Sequence, residues 1–202
     1  MSGTPPEHEI LIYIHVQDKL NQLDEGVPFP VEIDSTLSKA LDAMSCIPFI
    51  QFPLISYYTT PHKCTLTLAG ADAGTLGQPD IDIILQNSTP SSFGRGSENV
   101  MDPSYRSGQE IPAIKLEFGD TIGEVLAYPT DAVKVTMFPG RQIELKLYKL
   151  AVYEHGGHFD WHMDSTHSDG HHATLLVALN TSWKGGDLVL HQEMVTRPHR
   201  TM

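Results

Sequence analysis

The chain is poor in cysteine, with Cys46 and Cys64 the two in 202 residues. Two thiols do not make a disulfide framework, so both read as reduced core residues. Basic residues are also scarce: 13 Lys and Arg stand against 25 Asp and Glu, for a formal net charge of −12. Contact with a phosphate backbone needs clustered cations, which argues against a nucleic-acid partner. Attraction to an anionic membrane surface fails on the same ground. The longest apolar stretch, Cys46 to Tyr58, is interrupted by Pro48 and Pro53 and is too short to span a bilayer. Met1 to Glu9 holds two prolines and no basic cluster, unlike a signal peptide. These absences predict a soluble, intracellular protein, with cytoplasm and nucleus not distinguished.

What remains suits one globular domain with a supporting extension. Apolar residues make up 40% and charged residues 19%, enough for a packed core. Glu9 to Val16 is nearly continuous apolar and fits a strand or a helix start equally well. Asp34-Ser35-Thr36 caps a short helix through Met44. Cys64 to Leu68 alternates and predicts a strand, ended by Ala69-Gly70. Pro79 suits the first residue of a short helix carrying Ile81, Ile84 and Leu85. Asn87 to Gln109 is a loop by composition. A strand follows over Ala113 to Phe118, and Asp120-Thr121 caps a helix through Val125 and Leu126. Strands are then predicted over Gln142 to Tyr153, Phe159 to Asp164, Ala173 to Leu179 and Asp187 to His191. The second half is thus mainly β with turn-separated strands, the pattern of a barrel or jelly roll.

Histidine is the oddity. Eleven occur in the chain, and six of them lie between His155 and His172. On a strand, residues i and i+2 share a face, so His162 and Asp164 would point the same way. An imidazole and a carboxylate so placed are two of the three ligands of a facial triad, which leaves open positions on Fe(II). Alone, His-x-Asp also fits an ordinary polar strand edge.

The surroundings of that motif carry a resemblance. Leu147-Tyr148-Lys149-Leu150-Ala151-Val152-Tyr153-Glu154-His155-Gly156-Gly157-His158-Phe159, followed by His162 and Asp164, resembles the Fe(II)/2-oxoglutarate dioxygenases of the prolyl-4-hydroxylase-like superfamily. Ala173 to Leu179 and then Gly185-Gly186-Asp187-Leu188-Val189-Leu190 resemble the next two strands of that family and the turn between them. Pro90 to Asp102, with Tyr105-Arg106 behind it, resembles a segment of fungal-type members. The resemblance implies a double-stranded β-helix and a hydroxylase-type activity on a substrate it does not name. It implies Fe(II), 2-oxoglutarate and ascorbate as cofactors, His162 and Asp164 as metal ligands, and Tyr153 as a residue that helps hold 2-oxoglutarate. Residues 1–110 would be a mixed α/β supporting region, and 111–202 the first part of the β-helix.

The same resemblance implies a second metal histidine several tens of residues beyond Asp164, with an Arg or Lys after it for the distal carboxylate of 2-oxoglutarate. After Asp164 the chain offers His167, His171, His172, His191 and His199, none in that context; His191, ending a predicted strand, is the best placed. The expectation is therefore a partial jelly roll, truncated before the distal histidine, with strand edges left open. The alternative is a truncated or degenerate dioxygenase-like protein that acts by binding only. A third reading, a zinc hydrolase built on His158, Asp160, His162 and Asp164, lacks a His-Glu-x-x-His or Cys-x-x-Cys motif.

Overall fold

The computed structural model describes residues 8–18, 63–95, 98–138, 141–162, 171–179, 181, 185–192 and 195–199. Asp164, Met163, Cys46 and the helix expected before Met44 lie outside the described residues. The strands in chain order are β1 (Glu9–Asp18), β2 (Thr65–Leu68), β3 (Ala71–Thr75), β4 (Gln78–Pro79), β5 (Thr89–Pro90), β6 (Phe93–Arg95), β7 (Glu98–Val100), β8 (Arg106–Ser107), β9 (Gln109–Pro112), β10 (Leu116–Phe118), β11 (Ile143–Tyr153), β12 (His158–Phe159), β13 (His171–Ala178), β14 (Leu188–Gln192) and β15 (Val195–His199). The helices are α1 (Ile81–Asn87) and α2 (Ile122–Met137). The protein is mainly β, and its sheets are antiparallel.

The largest sheet has the order β13-β1-β11-β9-β5. The apolar run at the start of the chain is therefore a strand, and a central one. It pairs with β11 on one side and β13 on the other. β1 fills the space between those two strands and pairs with both. The sheet also draws strands from both sides of residue 110, which itself lies within β9.

Side-chain alternation explains how this sheet builds its core. Ile10, Ile12, Ile14 and Val16 of β1 are buried. On β11 the inward positions begin odd, with Ile143, Leu145 and Leu147, and end even, with Leu150 and Val152. A β-bulge reconciles the two runs. Tyr13 pairs with Lys149 and Ile14 with Leu147, so Tyr148 is the extra residue. Against this face pack Leu66 and Leu68 of β2, Ile84 of α1 and Val125 of α2. A small apolar cavity of about 110 Å³ remains between the sheet and α2, lined by Ile12, Ile14, Phe118, Val125, Leu147 and Val177.

Several local expectations shift by a residue or two. The short helix starts at Ile81, not Pro79, because Asp80 caps it: its carboxylate accepts the Ile83 N–H at 3.1 Å. Pro79 closes β4 instead. The strand expected over Ala113 to Phe118 begins as a 3-10 turn, Ala113–Lys115, and becomes β10 at the buried Leu116. The segment expected as a loop from Asn87 to Gln109 carries β5 to β8, pieces of two or three residues too short to show a period. Helix α2 runs well past Leu126 and through Pro129.

Candidate functional site

Tyr153 is the last residue of β11 and is half-buried. Its ring packs against Gly108, where a Cβ would sit 2.9 Å from the ring edge, so this close approach favours glycine. The Tyr153 hydroxyl makes no hydrogen bond among the described residues. After Tyr153 the chain turns at His155-Gly156, with Gly156 in the left-handed region at φ 77°. It returns as β12, which pairs with β8: His158 opposite Ser107, Phe159 opposite Arg106.

The strand expected from Phe159 to Asp164 stops at Phe159. Local hydrogen bonds replace the ladder there. The Asp160 carboxylate accepts its neighbour Trp161 N–H at 2.7 Å, and His162 Nδ1 bonds the Asp160 carbonyl at 2.8 Å. Tyr105 ties the segment from the other side: its carbonyl accepts Asp160 N–H at 2.9 Å and its hydroxyl donates to the Trp161 carbonyl at 2.9 Å. His162 is thus exposed beyond a strand end, not on a strand face, and its ring stacks on Phe159 at 3.5 Å between centroids. The alternation argument that placed His162 and Asp164 side by side therefore does not hold over 160–162.

Tyr153 and His162 are linked only indirectly, through residues 106–108 and Phe159. Tyr153 rests on Gly108. Arg106, two residues away, lies under Phe159 with its guanidinium carbon 4.5 Å from the ring centroid, and His162 covers the other end of that ring stack. A proton on Nδ1 is donated to the Asp160 carbonyl, so Nε2 is the nitrogen that would serve as ligand. Among the described residues no three His, Cys, Asp or Glu side chains converge as a metal group. The zinc reading loses His158 in particular. Its two ring nitrogens face the carbonyls of Gly156 at 3.1 Å and Ser104 at 3.2 Å. Those two carbonyls, chiefly Gly156, hold its pKa above the ordinary value.

Sequence reasoning passed over the polar face of the same sheet. There Lys149 Nζ bonds Glu110 Oε2 at 2.8 Å, and Arg106 Nη2 lies 3.5 Å from that same oxygen. Lys149 also sits 5.0 Å from the Tyr148 ring centroid and 5.7 Å from that of Tyr13. Across three strands, Tyr148, His15 and His171 stack with centroids 4.2 and 4.1 Å apart. His15 and His171 are buried. Two buried polar atoms have no partner here: Arg106 Nε and Ser91 Oγ. Leaving such a group unmet costs about 1–3 kcal/mol, more when it is charged. The signal available in the sequence was Lys149 directly before the apolar run Leu150-Ala151-Val152, and Arg106 four residues from Glu110.

Compared with family models, curated proteins and solved structures, the chain shows no match. Among the described residues no helix is long and apolar enough to cross a membrane.

Proposed function

We propose that the chain is a hydroxylase-type domain on the Fe(II)/2-oxoglutarate dioxygenase plan. In this reading it is a double-stranded β-helix of which the five-stranded sheet is one wall. The observation that supports it is the glycine turn after Tyr153, which returns the chain beside residues 106–107. The block that resembles the family folds as a long strand, a glycine turn and a short return, so Tyr153 packs on Gly108 while His162 stacks on Phe159, the strand partner of Arg106. His162 and Asp164 would hold the metal, and Tyr153 would donate its phenol to a carboxylate of 2-oxoglutarate. Iron and 2-oxoglutarate, when bound, would supply oxidation of a substrate C–H bond by dioxygen, with succinate and carbon dioxide released and ascorbate keeping the metal reduced. The chain's own work is orientation. The Asp160 carbonyl and the Phe159 ring fix the plane and tautomer of His162.

A binding-only protein is the second reading, favoured by the lack of three converging metal-binding side chains among the described residues. Succinate release from 2-oxoglutarate with Fe(II) and ascorbate separates the two. Release that disappears in His162→Ala and falls at least tenfold in Tyr153→Phe supports the dioxygenase. No release, with no Fe(II) retained after anaerobic reconstitution, leaves the binding protein.

A further inference from the structure

Arg106 is buried, with its side chain 3% exposed, and its donors are unevenly used. Nη1 donates to the Ser92 carbonyl at 2.6 Å. Nη2 lies 3.5 Å from Glu110 Oε2, an oxygen that already takes Lys149 Nζ at 2.8 Å. Nε makes no hydrogen bond. The Nε–Nη2 edge is the one that grips a carboxylate through two parallel bonds. Here one prong is bare and the other is met at long range by an oxygen shared with a second cation.

Ser91 supplies an independent observation. It is 2% exposed, and its hydroxyl also lacks a partner. Its backbone N–H bonds the Gly108 carbonyl at 2.9 Å, and the carbonyl of the next residue is the one that holds Arg106 Nη1. The two unmet groups therefore belong to residues that meet where the 91–92 segment is hydrogen-bonded to the 106–108 segment, which Tyr153 packs against at Gly108.

We infer that Arg106, backed by Ser91, anchors a subsite for the carboxylate of a small anionic ligand. A planar carboxylate matches the fork and gives Nε an acceptor. A phosphate dianion matches less well, because the Glu110 carboxylate lies beside the same edge. The way in is through β12. Phe159 covers the guanidinium, and this strand of two residues is held by its pairing with Arg106 and Ser107. An element so short opens locally at low cost. Lifting it exchanges the ring contact for a carboxylate on the fork. The inference stands on these donors and requires neither iron nor turnover.

The test is binding of succinate to the full chain with EDTA present. It is followed by calorimetry and by Trp161 fluorescence in a Trp183→Phe background, since Trp161 lies two residues from Phe159. Saturable binding of succinate is expected, with none of the neutral diamide succinamide. Affinity should fall about fivefold in Ser91→Ala and about tenfold or more in Arg106→Lys, which keeps the charge but loses the fork. Should Arg106→Lys fail to fold, Ser91→Ala decides, as it removes one hydroxyl. Absent saturable binding, equal binding of succinamide, or unchanged affinity in the folded variants overturns the inference. So does a crystal soaked in succinate that shows an ordered water only at Nε. Turnover of 2-oxoglutarate with an unchanged KM in Arg106→Lys would keep the proposed function and remove this subsite. Carboxylate binding without turnover would do the reverse.

Discussion

The two faces of strand β1 are built by different physics. One carries Ile10, Ile12, Ile14 and Val16, all buried against apolar neighbours on β11, β13, α1 and α2. Each such side chain contributes about 1.5–3 kcal/mol by leaving water, with no demand on direction. The other carries Tyr13 and His15, next to Tyr148, Lys149, Glu110 and His171. Its contacts are ring stacks and shared charges, whose attraction is largely offset by desolvation. The apolar face accounts for the fold. The polar face does little for stability and is where chemistry can be placed.

The largest break in that comparison comes from removing β1 altogether. Deleting residues 1–18 takes out the strand between β11 and β13 and opens both ladders. Loss of the cooperative thermal transition in circular dichroism is expected; a transition retained within a few degrees would show that the sheet does not need this strand. Next come single changes on each face. Leu150→Ala, at a fully buried position, should cost about 2–5 kcal/mol in urea unfolding. Lys149→Met, one residue along on the opposite face, should cost about 1 kcal/mol or less, because Glu110 keeps Arg106. Equal costs would erase the distinction between the faces.

That distinction also governs what could be read from sequence. Apolar parity is local, so β2, β11 and β13 were legible within a residue or two, and the switch from odd to even positions across Tyr148 is visible as a bulge once the partner strand is known. The pairing of residues 9–18 with strands more than 120 residues away was not legible, because an apolar run names no partner. At the candidate site, the turn after Tyr153 could be read from Gly156-Gly157. The end of the strand at Phe159 could not, since it depends on Asp160 bonding its own neighbour and on Tyr105 arriving from the turn before β8, about 55 residues earlier in the chain. Arg106 escaped for the same reason: its burial under Phe159 follows from a register, not from composition.

A smaller effect sharpens the comparison through pH. Glu9 opens β1, opposite Tyr153, and burial pushes its carboxyl up to about 7. A folded-state pKa above the unfolded value means that the folded protein holds the proton more tightly. The associated stability is complete below about pH 4.5 and is lost as pH rises through about 7. The melting temperature should therefore fall between pH 5 and pH 8. Glu9→Gln, which cannot ionise, should melt about 2–4 °C higher than the wild type at pH 8 and differ little at pH 5. A variant that is no more stable at pH 8 would mean that the carboxylate is accommodated at the sheet end without penalty.

The smallest expected effect is at His158, which lies on the turn side of β12 and is exposed. Its ring spans two carbonyls, Gly156 O at 3.1 Å and Ser104 O at 3.2 Å, and both are acceptors. Satisfying both requires a proton on each ring nitrogen, so the imidazolium is the form that ties the glycine turn to the 102–105 turn. The raised pKa has the same origin, with the Gly156 contact the larger cause. The sign follows: the tie is complete below the unfolded pKa of about 6.5 and is released as pH climbs through the higher folded value. In solution NMR the His158 ring resonances should titrate above that reference. Amide exchange in the turn after Tyr153 should be slower at pH 6 than the intrinsic rate change predicts, relative to pH 8.5, and His158→Gln should remove that excess. If the ring titrates at or below the reference value, the turn is held by Gly157 N–H on the Glu154 carbonyl at 2.7 Å without help from His158. The orientation of Phe159 over Arg106 would then rest on the β8–β12 pairing and the Tyr105 and His162 contacts, without His158.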